Sequence, residues 1–174
     1  MPVTVTAFYK FVAIADTETL RAELHEICSA HAIKGTILIA GEGINATVAG
    51  AAAAIRGLLA HLRSDPRFSD LVSKESYVDA VPFGRLKVKV KPEIVTMRQP
   101  QADPSQQVGT YVPPDQWNAL VSQDDVIVID TRNSYEFAIG TFKGAVDPGT
   151  RAFSEFPDYV RENLDPDKHK RVAM

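Results

Sequence analysis

The chain of 174 residues holds a single cysteine, Cys28, and one tryptophan, and it has no apolar run long enough to cross a bilayer. One cysteine rules out an internal disulfide, and without Cys/His pairs at ligand spacing no structural metal is expected. Runs such as Thr36-Ile37-Leu38-Ile39-Ala40 fall far short of the roughly 20 residues a membrane helix needs. The N-terminus lacks the charged region and apolar stretch of a secretory signal, so a cytoplasmic location and no membrane partner are expected. A strong positive charge is missing too: the net charge of −3 gives no global reason for nucleic-acid binding.

The charge that is present is unevenly divided. Residues 1–98 carry 12 Lys and Arg against 10 Asp and Glu, net +2, and residues 99–174 carry 7 against 12, net −5. Two units with different tasks are expected, at 1–98 and 113–174, joined by a linker over 99–112 whose Pro, Gln, Asp and Ser show no periodicity.

In the first unit, Val3 to Val12 is β-branched and aromatic and reads as a strand. Leu20, Leu24, Ile27 and Cys28 share one face of a helix that Asp16 or Thr17 caps. Gly35 to Ala40 and Ala46 to Ala49 form a hairpin across Gly41-Glu42-Gly43-Ile44-Asn45, a structural turn that lacks the Gly-Lys-Ser/Thr ending of a phosphate loop. Ile55, Leu58, Leu59 and Leu62 mark a second helix, stopped at Asp65-Pro66, and a final strand covers about Arg85 to Met97. The order strand, helix, strand, strand, helix, strand is the ferredoxin-like α+β arrangement, with both helices on one face of the sheet.

The second unit opens with a helix from Pro113-Pro114 through Val121, then a near-continuous apolar run, Asp125 to Asp130, of the kind a parallel sheet buries. A helix capped near Ser154 follows, and Arg171-Val172-Ala173-Met174 begins another parallel strand. Two strands are too few to cover a helix-packed core, so this reads as an incomplete α/β domain whose open edge invites association with a second copy.

Three constellations could carry chemistry. Arg85, Lys87, Lys89 and Lys91 alternate with Leu86, Val88 and Val90, which puts all four cations on one side of a strand. Such a row tracks a phosphate backbone, or serves only as a solvated face or a protected sheet edge. Tyr9, Phe11 and Tyr77 read as core residues, with base stacking as the alternative. Cys28, on the apolar face of a helix, reads as packing and not as a nucleophile. Asp130 ends a buried strand, where open α/β sheets bind ligands, with Arg132 and Glu136 close behind; a structural ion pair to Arg132 is the plainer reading.

Asp130-Thr131-Arg132, Glu136 and Gly140-Thr141-Phe142-Lys143-Gly144-Ala145 resemble the early signature of a rhodanese domain, with Thr141-Phe142 where that pattern has His-Ile. Together with Gly41 to Thr47, Pro82-Phe83-Gly84-Arg85-Leu86-Lys87-Val88 and Phe153-Ser154-Glu155-Phe156-Pro157, they resemble the rhodanese-containing, oxygen-dependent tRNA uridine hydroxylases across essentially the whole chain. Ala46 stands where members of that family often carry glycine.

The resemblance implies a ferredoxin-like domain that helps bind tRNA, followed by a rhodanese-like domain. The implied reaction converts the wobble uridine to 5-hydroxyuridine with molecular oxygen as co-substrate, and no other cofactor is evident. It also implies a catalytic cysteine in the loop after the strand that Arg171 begins; Cys28 does not match that position, so residues 1–174 by themselves are expected to be inactive. A rhodanese-type sulfurtransferase fragment and a non-catalytic RNA-binding or interaction module are the alternatives.

Overall fold

Strand β1 (Val3–Phe11) alternates as the sequence demands: Thr4, Thr6 and Phe8 are buried while Ala7 and Tyr9 are exposed. In the computed structural model, residues 2–99, 109–165, 167 and 171–174 are described. They form two compact units, Met1–Val95 and Thr96–Met174. Most of the linker expected at 99–112 lies outside the described residues, as do His169 and Lys170. No helix among the described residues is long and apolar enough to cross a membrane.

In the first unit, β1 is followed by α1 (Thr17–Ala30), β2 (Lys34–Ala40), β3 (Gly43–Gly50), α2 (Ala52–Ser64), β4 (Ser73–Val78) and β5 (Leu86–Val90). The sheet order is β4-β1-β3-β2-β5, antiparallel throughout except that β5 runs parallel to β2. Leu20, Leu24 and Cys28 of α1 and Ile55, Leu58, Leu59 and Leu62 of α2 join Phe8, Ile37, Ile39, Ile44, Val48 and Val88 in one buried cluster. Both helices therefore cover the same face, as the ferredoxin-like reading requires. At roughly 1.5–3 kcal/mol for each fully buried large apolar side chain, this cluster is the main stabilising element of the unit.

One element was assigned wrongly from sequence. The fourth strand of the βαββαβ order is Ser73–Val78, paired with β1 from Val3↔Val78 to Phe8↔Ser73, and not the segment 85–97. Its sequence Ser-Lys-Glu-Ser-Tyr-Val is polar and mostly exposed, because an edge strand that buries few of its side chains needs no apolar alternation. Within 85–97 the strand is Leu86–Val90 alone, a fifth strand added at the opposite edge.

Asp16 stands at the N-terminus of α1 without a side-chain cap bond. Its carboxylate is taken by Arg67, which also pairs with Asp65 (2.7 Å) and so ties the start of α1 to the 3-10 turn Pro66–Phe68.

The second unit contains α3 (Pro114–Val121), β6 (Val126–Val128), α4 (Ser134–Ile139), α5 (Phe156–Asn163) and β7 (Arg171–Ala173). β6 and β7 pair in parallel, Val126↔Arg171 to Val128↔Ala173, and Ile129 bridges in parallel to Val146. Arg171 Nε donates to Asp125 at 2.8 Å, a staple across the ends of the two strands. The helix expected from Ser154 begins instead at Phe156, after a 3-10 turn over Phe153–Glu155.

Candidate nucleic-acid interface

Backbone pairing fixes the cationic stripe. Gly35 N–H donates to the Arg85 carbonyl (3.1 Å) and Lys91 N–H to the Ile39 carbonyl (2.8 Å), so both ends of the stripe are held against β2. Val88 is buried and Leu86 and Val90 are half-buried beneath the helices, while Lys87, half-buried, and Lys89, exposed, take the face the helices leave open; Arg85 and Lys91, both exposed, flank the strand. Alternation along one strand thus does what the sequence pattern indicated.

The register shows what lies beside the stripe. Lys87 is next to Thr36, which is next to Thr47, then Ala7, then Lys74 on the far edge. Lys89 continues through Leu38 and Asn45 to Tyr9. Lys34 sits in line with Ala49, Val5 and Ser76. No strand position on this face is Asp or Glu; the acid of β4, Glu75, pairs with buried Thr6 and so belongs to the helix side.

Sequence reading missed Lys34 and Lys74, because neither belongs to a charge run. It also misplaced two aromatics. Tyr9 is 68% and Tyr77 67% exposed, so neither is a core residue. Tyr9 stands on the open face edge-to-face with half-buried Phe11 (centroids 6.3 Å apart), whereas Tyr77 is opposite Thr4 on the helix side. The parity of β1, anchored by buried Thr4, Thr6 and Phe8, was the available signal.

At the Arg85 end of the stripe a cavity of about 450 Å³ opens between Pro82, Phe83, Gly84, Arg85 and Lys87 on one side and Gly35 and Thr36 on the other. It joins one aromatic ring to two cations.

The turn between β2 and β3 is Gly41-Glu42 alone; Gly43, Ile44 and Asn45, expected within it, already pair with β2 as the first residues of β3. The carbonyls of Gly41 and Glu42 accept from Ile14 and Val12 N–H, both at 2.9 Å. The Glu42 carboxylate accepts Ile94 N–H at 2.9 Å, and Asn45 Nδ2 donates to the Ile94 carbonyl at 3.4 Å, which pins the chain leaving β5. A Cβ at Gly43 would lie 2.2 Å from the Lys10 carbonyl oxygen, so only glycine fits. Cys28 is fully buried, and burial pushes its thiol up to about 11, which leaves it protonated and unreactive near neutral pH.

In the second unit, Asp130 lies two residues beyond the end of β6, with its side chain only 7% exposed. Its carboxylate accepts Arg132 Nε (2.9 Å), a terminal Arg132 nitrogen (2.5 Å), Arg132 N–H (3.1 Å) and the Thr141 hydroxyl (2.8 Å). The Arg132 guanidinium, followed by the Thr141 hydroxyl, holds the acid well below the usual carboxylate range against the opposing effect of burial. Arg132 also donates to the Gly140 carbonyl at 2.7 Å. Glu136 accepts Asn133 N–H at 3.2 Å and caps α4. The three residues thus fold the loop around Asp130, with Arg132 in the structural ion pair that its position suggested, and each is occupied by its own neighbours.

The family model described as the UPF0176 acylphosphatase like domain matches residues 3–94, nearly all of the first unit and more than half the chain. The chain belongs to the UPF0176 family. Among curated proteins it is 56% identical, over 98% of its length, to the tRNA uridine(34) hydroxylase of Teredinibacter turnerae. It covers 53% of that protein, so the chain spans about half the length of the relative it matches. Among solved structures, this UPF0176 chain is similar to Klebsiella pneumoniae BlrP1 (19% identity, TM-score 0.44, 70% of this chain and 33% of that one). It is also similar to a bacterial light-regulated adenylyl cyclase (13% identity, TM-score 0.44, 52% and 28% covered). Likenesses this distant carry no argument about activity.

Proposed function

We propose that this chain is part of a tRNA uridine hydroxylase that converts the wobble uridine to 5-hydroxyuridine with molecular oxygen as co-substrate. The observation that carries the reading is 56% identity across 98% of the chain to a tRNA uridine(34) hydroxylase. In this reading the first unit binds tRNA through Arg85, Lys87, Lys89 and Lys91, and the second is the first part of a rhodanese-like domain.

Physical support comes from each unit. A fixed row of cations, about 6.6–6.8 Å apart along one strand face, suits a polyphosphate backbone. The parallel β6-β7 pair, with Asp130 and Arg132 beyond the carboxyl end of β6, gives the α/β layout in which ligands bind beyond strand ends. The reacting cysteine such a site calls for is not Cys28, which is buried under α1 with its thiol protonated. Residues 1–174 then contribute RNA binding and site architecture, not the nucleophile.

The test has two arms. Lys87→Ala, Lys89→Ala and Lys91→Ala together are expected to weaken tRNA binding and to lower the slope of log affinity against log salt by roughly 2–3, at about 0.7–0.9 per phosphate contact. Unchanged affinity would remove the stripe as the contact surface. In the second arm, unmodified tRNA is incubated with the full-length protein under oxygen and its nucleosides are read by mass spectrometry. 5-Hydroxyuridine is expected; transfer of sulfur from thiosulfate without hydroxylation would replace this reading with a sulfurtransferase.

A further inference from the structure

We infer that the open face of the five-stranded sheet binds an unpaired stretch of RNA, laid across the strands and stacked on Tyr9, with the cavity beside Phe83 seating a further nucleotide. This rests on the proposed reading that the chain acts on tRNA, and deepens it: it says which form of RNA the first unit takes and which residues beyond the stripe take it.

Charge favours a polyanion on this face. Cations flank the face on both edges: Arg85, Lys87 and Lys89 on one side, Lys74 on the other, with Lys34 between. Four inter-strand steps separate Lys87 from Lys74, about 19 Å at the usual strand spacing. The strand positions between them hold small or neutral side chains, Thr36, Thr47 and Ala7, and no carboxylate. A polyanion can therefore approach the middle of the sheet without meeting a like charge.

Shape then selects among polyanions. A rigid duplex presents phosphates on a convex surface and keeps its bases stacked inside, where a side chain standing on a sheet cannot reach them. Tyr9 is 68% exposed on β1, one position beyond the end of the β4 pairing, and Phe11 packs edge-to-face against its ring. An exposed aromatic ring on a carboxylate-free strand face, with cations at both edges, fits a splayed base whose flanking phosphates run to those cations. Asn45, the β3 partner of Tyr9, donates through its amide nitrogen to the Ile94 carbonyl, so its amide oxygen is the group it can present next to that base position. The cavity of about 450 Å³ next to Phe83 repeats the combination of aromatic wall and cations, Arg85 and Lys87, at the sheet edge.

The decisive experiment uses the full chain and a fluorescently labelled oligoribonucleotide of about ten nucleotides, as a single strand and annealed to its complement, read by anisotropy. Single-strand binding is expected to exceed duplex binding. Tyr9→Val, which keeps a strand-forming residue, is expected to weaken it roughly 5- to 100-fold, the range for loss of one base–aromatic stack. Tyr9→Phe is expected to restore it, and the salt slope to stay unchanged in both. Lys34→Ala with Lys74→Ala is expected to lower the slope by about 1.4 while leaving the effect of Tyr9→Val in place.

Equal affinity of Tyr9→Val and the parent chain, or a duplex bound as tightly as the single strand, overturns the inference. Tyrosine-dependent binding of the single strand by a protein that forms no 5-hydroxyuridine upholds the face and defeats the hydroxylase reading alone, so the two failures are separable.

Discussion

The two units bury their apolar residues to different degrees. In the first, 18 residues close into one cluster between two helices and a five-stranded sheet. In the second, Val128, Ile129, Phe156 and Ala173 are the buried apolar residues among those described. Large apolar side chains there stay in water, among them Ile139 at 84%, Tyr135 at 66% and Phe142 at 59% exposure. The difference shows where each unit gets its order. The first is held by apolar burial, and the second relies more on local polar ties: the Asp130–Arg132–Thr141 knot, the Glu136 cap and the Arg171–Asp125 staple.

That contrast can be broken by substitution, and the largest effect is expected in the first unit. Gly43→Val places a side chain at the start of β3 against the Lys10 carbonyl of β1. A loss of about 3 kcal/mol or more is expected in urea unfolding, with tryptophan fluorescence from Trp117 following the second unit separately. A smaller loss would mean that the sheet yields there.

Equivalent cavities sharpen the comparison. Leu24→Ala empties a fully buried site and is expected to cost about 2–5 kcal/mol of the first unit's stability. Phe156→Ala, although the larger truncation, is expected to cost less than Leu24→Ala, because Phe156 stacks on Phe153 and Tyr159 within a far smaller buried set. Equal losses would overturn the assignment of the first unit to apolar burial and the second to polar ties.

Asp130→Asn comes next, at about 1–3 kcal/mol for the second unit, since Arg132 and Thr141 lose a charged acceptor. The pH response has a definite sign. Asp130 is held below its ordinary value when folded, so its contribution is complete above about pH 4 and is lost as pH falls through the folded value. Acid titration followed by Trp117 fluorescence should show the second unit weakening below about pH 4, less steeply in Asp130→Asn.

The smallest effect belongs to Thr6→Val. The Thr6 hydroxyl is buried with no hydrogen-bond partner among the described residues, so a melting temperature unchanged or slightly raised is expected.

Much of the first unit was legible. Helix-spaced leucines in α1 and α2, the alternation of β5 and the glycines at the β2–β3 turn each state a local rule that the fold obeys. The edge strand β4 was not, because Ser73 to Val78 is polar, mostly exposed and carries no apolar signature. Tyr9 was misread for a related reason: an aromatic in a strand signals burial on average, and only the parity of its neighbours shows which face it takes. In the second unit, Asp130, Arg132 and Glu136 could be picked out as a group, but the two tasks that separate them, ion pairing and helix capping, needed the loop geometry.

The sequence by itself determined what short-range spacing can encode: which residues share a helix or strand face, that four cations stand in a row, and that Cys28 is packed away. Tertiary structure alone decided which strands become neighbours. That placed Lys34 and Lys74, distant in sequence from the stripe, on one carboxylate-free face with Tyr9 and with β5 itself. The physical reason is that strand order and register are set by burying apolar faces against α1 and α2, and the residues left on the other face are assembled as a consequence.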